Sequence, residues 1–210
     1  MAAEAVRAQP PSHPVLLAYG AGFAGFLERF EPVAGLPYLA DVARLDGLRR
    51  RAWHAADVEA LGVGALAGVD PDHLATRRIT LHPSLGLLAS MHPARTLWAA
   101  QNGEATPDPL DWVPQTTAVW RQGDALRVDA VDAPLLDLLA AARRAPRLGA
   151  LLDVPEAAEA ETRARSFARA LRDGLLVDAD ALARVLAVVP DATLFDGFLP
   201  PFPTTADGHA

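Results

Sequence analysis

The chain contains no cysteine and no lysine. Without thiols there is no disulfide framework, no thiolate metal site and no cysteine nucleophile. Its 19 basic residues are all arginine and are outnumbered by 26 acidic ones, for a formal net charge of −7. With so much alanine, this reads as GC-rich coding bias. An acidic chain opposes nucleic-acid binding, which needs a basic face to neutralise phosphates. Only a local arginine cluster would override the total. No apolar run approaches the roughly 18 residues of a membrane-spanning helix. Met1–Ser12 carries Arg7 but no apolar signal-peptide core, so the expected compartment is the cytoplasm.

Catalytic signatures are missing as well. There is no phosphate-binding glycine loop, no GxSxG elbow and no HExxH. AYGAGFAGF (residues 18–26) is glycine-rich but does not follow a strand, so it fails the dinucleotide test. The six histidines are scattered, with no i,i+3 or i,i+4 ligand set. A metalloenzyme needs three or four convergent ligands. His82 and His92 each precede a proline, which biases them toward extended backbone. They read as punctuation at strand ends rather than as metal ligands. A hydrolase would need a set assembled from distant residues such as Ser84, His54 and Asp57.

The pattern that is present predicts an α+β chain with helices first and a hairpin later. Residues 1–12 read as a disordered tail. Ser12 and Pro14 open a helix carrying Leu16, Tyr19, Phe23, Phe26, Leu27 and Phe30, weakened by Gly20, Gly22 and Gly25. A second helix runs through residues 36–57, its apolar arc built from Leu39, Val42, Leu45, Leu48 and Trp53. Asp46 and Arg50 fall inside that arc, as an ordinary i,i+4 pair or as an ion pair buried against a partner. Arg44 and Arg51 lie opposite and are expected in solvent. A short helix through residues 58–66 and an Asp70-capped turn ending near Thr76 follow. Strands are expected at RRITLHP and SLGLLAS, and a helix at Ala94–Gln101 presenting Leu97 and Trp98.

Residues 102–114 are rich in Gly, Pro and Asp and read as a linker between a helical sub-domain (13–102) and a second sub-domain (115–190). In the latter, Gly123-Asp124 between alternating runs predicts a two-residue hairpin. Its register sets Arg121 opposite Leu126, Val119 opposite Val128 and Thr117 opposite Ala130. Trp120 then faces Arg127 and could stack on it. Asp132 caps a Leu-rich helix, followed by helices at 146–152 and 156–173, a short LLVD strand and a last helix from Asp180. Residues 191–210 form a Pro-rich, aromatic tail. Helices with a hairpin are also the parts of a winged helix, so a DNA-binding regulator is the alternative. A hairpin edge, by contrast, binds an extended peptide through its backbone and needs no catalytic side chain.

Several segments occur together in order: GLPYLADVARLD, RAWHAAD, LHPSLGLLASMHPARTLWAAQN, AVWRQGDALRVDAVDAPLLDLL and FARALRDGLLVD. In this combination the chain resembles the HvfC/BufC family of peptide-modification partner proteins, from about His13 to Asp178. The resemblance implies a non-catalytic, leader-recognition-like protein that forms a heterodimer with a multinuclear non-haem iron oxidase, as in methanobactin and bufferin biosynthesis. The partner helps the oxidase engage the leader of a ribosomally made precursor peptide. The oxidase holds the iron and modifies the precursor's cysteines, often in copper-binding peptides; no cofactor is expected here. By position, Thr116, Thr117, Ala118, Val119, Trp120, Arg121 and Arg127 are candidates for peptide binding. Tyr38, Asp46, Arg50, His82, Ser84 and Trp98 are candidates for the oxidase interface. Two features depart from the pattern. Longer members carry a further N-terminal helical domain, and the pattern has a bulkier or charged residue where Gly86 stands. At position 92 it takes an aromatic residue or His, which argues further against a metal role for His92.

Overall fold

The computed structural model describes residues 1–8, 10, 20–144 and 146–188. Within them, three aspartates open three helices. Asp70 accepts from the Asp72 and His73 amides to start α4 (Pro71–Thr76). Asp132 accepts from Leu135 N–H to start α6 (Ala133–Arg143), and Asp178 from the Asp180 and Ala181 amides to start α9 (Ala179–Leu186). Each carboxylate satisfies donors that a first helical turn leaves unpaired. The remaining helices are α1 (Ala2–Ala8), α2 (Phe23–Leu27), α3 (Leu39–His54), α5 (Ala94–Gln101), α7 (Leu148–Leu152) and α8 (Ala157–Arg172).

The strands are β1 (Ile79–Leu81), β2 (Gly86–Ser90), β3 (Gln115–Gln122), β4 (Ala125–Ala130) and β5 (Leu176–Asp178). They form an antiparallel β2-β3-β4 sheet and a β1-β5 ribbon, so the architecture is α+β. The hairpin register is the expected one, and Gly123 takes the positive φ of 58° that a tight two-residue loop requires. Both sheets take strands from either side of residues 102–114, so the segments expected as two sub-domains share their hydrogen-bonded framework.

The central sheet is buried on both faces. Val119 and Val128 pack with Val42, Leu45 and Leu48 of α3 and Ala94 and Trp98 of α5. On the other face, Leu87, Ala118 and Trp120 join the leucines of α6, Phe167 and Leu171 of α8, and Ile79, Leu175 and Leu176. Alternation along β3 thus feeds one core and then the other. Gly86 lets α3 approach: a Cβ there would stand 2.5 Å from Leu48 Cδ2. That contact explains why a bulkier residue is excluded at this position.

Several expectations are corrected. Ala2–Ala8 is helical where a disordered tail was expected. Gly20 adopts a φ of 88°, and α2 begins at Phe23; the Ser12 cap, Pro14, Leu16 and Tyr19 lie outside the described residues. Residues 58–66 hold a single 3₁₀ turn at Val63–Ala65, because Leu61 N–H is drawn to Leu176 O at 2.7 Å. The tail 191–210 also lies outside the described residues.

Candidate functional site

β3 lies between two partners, so its backbone is committed on both sides. Thr116–Arg121 therefore cannot itself accept an added strand, and a free edge is left to its hairpin partner β4. Most side chains of Thr116–Arg121 are also buried. Thr117, Ala118, Val119 and Trp120 are buried, and Trp120 Nε1 donates to Asp173 O at 2.7 Å. The indole thus turns inward rather than stacking on Arg127, which is exposed. Among the described residues, Arg49 lies over the Trp98 ring at 4.9 Å as a cation–π contact. Arg121 spans three acceptors at the end of α3: Trp53 O at 3.2 Å, Ala55 O at 3.1 Å and Asp57 Oδ1 at 2.5 Å. It closes a helix C-terminus, where carbonyls lack intrahelical partners.

The outer edges of the sheet belong to β2 and β4. β2 is largely buried, whereas Ala125, Arg127, Asp129 and Ala130 of β4 are exposed. The register makes Ala125, Arg127 and Asp129 exchange backbone bonds with β3, so Leu126, Val128 and Ala130 direct theirs outward. The Val128 and Ala130 carbonyls indeed accept from Arg95 and Arg169, of α5 and α8. The edge is the group of backbone donors and acceptors best placed to meet an extended chain.

His82 is a buried structural residue. Its Nε2 lies 3.1 Å from Val58 O, an acceptor only, so Nε2 carries the proton. Nδ1 then accepts from Ser84 N–H at 3.1 Å and the Ser84 hydroxyl at 2.7 Å. Ser84 Oγ in turn accepts from Arg121 N–H at 3.0 Å. Burial, aided by the Arg121 charge, pushes the His82 pKa down and keeps the ring neutral. Both residues are interior, which removes them from an interface, and a buried Ser84 has no access to a substrate. His54 is exposed and Asp57 serves Arg121, so the hydrolase set is not assembled.

A second polar group ties the start of α3 to β2. The Asp41 carboxylate, buried in the first turn of α3, accepts from Ser90 Oγ at 2.6 Å, Arg44 at 2.6 Å and His92 Nδ1 at 3.2 Å. Arg44 also pairs with Glu28, so it is not simply solvated. Arg51 is half-buried, and burial, with the adjacent Arg50 charge, lowers its pKa. His82 and His92 therefore serve separate networks. Among the described residues, no group of three or more His, Asp and Glu is placed to hold a metal.

Of the other interface candidates, Trp98 is buried and donates its Nε1 proton to Asp46 at 3.0 Å. Asp46 pairs with Arg49 at 3.4 Å rather than with Arg50. Asp46 and Arg50 are exposed, and Tyr38 is half-buried against Trp112, with ring centroids 5.7 Å apart. Trp112 (59% exposed) and Leu36 (43%) extend this apolar surface. Sequence reasoning placed Trp112 in a linker; a tryptophan among Gly, Pro and Asp was the available signal. No helix among the described residues is long and apolar enough to cross a membrane. Neither a family model nor a curated protein matches the chain.

Proposed function

We propose that the chain is a non-catalytic partner of a multinuclear non-haem iron oxidase and holds the leader of a ribosomally made precursor peptide for cysteine modification. The observation that carries this reading is the exposed β4 edge, with outward backbone groups at Leu126 and Val128. Strand addition supplies affinity through main-chain hydrogen bonds. The partner's identity comes from the HvfC/BufC resemblance, and the iron belongs to the oxidase. The surface around Tyr38, Trp112, Asp46 and Arg50 is the proposed oxidase face, since exposed aromatics favour protein contacts.

Titrating isotopically labelled protein with any small cysteine-bearing peptide found encoded near it tests the peptide role. Amide shifts at Leu126 and Val128 are expected; shifts confined to another surface would contradict it. Asp46→Asn keeps the acceptor for Trp98 while removing the charge. Unchanged affinity for the oxidase would take Asp46 out of the interface.

One observation favours a second reading, a winged-helix DNA-binding regulator. The Arg78–Arg147 bridge brings two exposed arginines together, Arg78 also lying 3.6 Å from Asp180. The net charge of −7 opposes extended contact with duplex. A band shift with random duplex at low salt decides: retention supports the regulator, free migration the partner protein.

A further inference from the structure

The β4 edge is open near the turn and guarded beyond it. Leu126 directs both backbone groups outward, but the outward carbonyl of Val128 accepts from Arg95 Nε and that of Ala130 from Arg169. The two guards reach their carbonyls over nearly equal distances, Arg169 at 3.2 Å and Arg95 at 3.3 Å, and differ in their second carboxylate. Arg169 has carboxylates at 3.2 Å (Asp132) and 3.5 Å (Asp173). Arg95 reaches Val128 O across 3.3 Å, at the long end of N–H···O geometry. Its carboxylates are Glu104 at 3.1 Å and Asp129 at 3.8 Å, each about half exposed. Such solvated ion pairs hold a side chain weakly.

A strand pairing with both Leu126 and Val128 needs the Val128 carbonyl, so its amide competes with Arg95 there. Arg95 keeps Glu104 at 3.1 Å, and the Nε donor released from Val128 O can take a carboxylate on the incoming peptide. Exposed Arg127 on the same strand offsets Asp129, as Arg95 offsets Glu104, so an acidic residue meets no net repulsion here. We propose that Arg95 gates the β4 edge and selects extended peptides that place Asp or Glu beside Val128. Arg169, backed by the less exposed Asp173, ends the docked strand at Ala130. The inference rests on edge binding as proposed above and adds a sequence requirement to it.

The test is selection from a random peptide library, about eight residues long to match a strand, on wild type, Arg95→Ala and Arg95→Gln. The Gln variant keeps much of the side-chain stem, and thermal midpoints of both variants check folding. Wild type is expected to select strand-forming peptides with an acid fixed at one position. Both variants keep the strand formers but lose that acid. Replacing the acid of a selected peptide by its amide should weaken wild-type binding roughly 10-fold and leave Arg95→Ala unchanged. Wild-type selection without an acidic preference, or a preference that survives in Arg95→Ala, would overturn the gate and leave edge binding intact. If neither wild type nor variants select extended peptides, edge binding falls and the gate falls with it.

Discussion

Burial of the His82 ring removes solvation from its charged form, and its three partners all fit the neutral tautomer. In the unfolded chain this histidine takes up a proton near its ordinary pKa of about 6.5; in the folded chain it does so only at lower pH. Between the two values the unfolded state binds more protons, so stability rises with pH there. The His82 contribution is full above pH 6.5 and is lost as pH falls below it. Asp178 acts lower on the scale. Burial alone would raise its pKa, but the Ala181 and Asp180 amides and the Arg77 guanidinium outweigh that and lower it. Its contribution is present above about pH 4 and lost as pH falls further. Urea midpoints compared at pH 7.5 and 5.5 should drop for wild type, and the drop should shrink in His82→Gln. Equal drops in both proteins would assign the effect elsewhere. Gly86 offers a second test at this scale. Gly86→Ala drives a methyl into Leu48 and is expected to cost about 1–3 kcal/mol. Combined with Leu48→Ala, its cost should fall well below that value, because the two residues share one space. The place of His82 and His92 just beyond strand ends was legible from the His-Pro pairs. Their separate partners were not, because Val58 and Asp41 are remote in sequence.

At the level of elements, α3 depends on a residue that sequence reading placed in a peptide site. Arg121, only 17% exposed as a side chain, closes the end of α3 through two carbonyls and Asp57. Arg121→Ala leaves those carbonyls without a donor and should cost about 1–3 kcal/mol. Arg121→Lys should recover only part of this, since an ammonium lacks the planar fork. Thermal midpoints measure both, and a neutral alanine variant would show that water replaces the guanidinium. The hairpin register and the bounds of α5 were readable because a Gly-Asp turn and local periodicity fix them within a few residues. Sheet order was not readable. Nothing local states that β2 pairs with β3, and that pairing makes the expected binding strand central and moves the open edge to β4. The helix expected at 58–66 failed for a related reason, a long-range hydrogen bond from Leu61 to Leu176.

For the whole molecule, the α+β class was legible from helical periodicity before the hairpin, but the division into two sub-domains was not. Both sheets cross the supposed linker, and that segment carries Trp112 back onto Tyr38. One consequence is that neither half should fold alone, because each would expose one side of the sheet. The exposed aromatic surface and the open β4 edge belong to different elements, so the proposal predicts that oxidase and peptide bind without competing. The most direct test is co-expression of the tagged chain with its neighbouring open reading frames, followed by purification and mass spectrometry. The account predicts a one-to-one complex with an iron-containing oxidase, tightened by a short cysteine-bearing peptide. Recovery of the chain alone, from cells that make that oxidase, would contradict it.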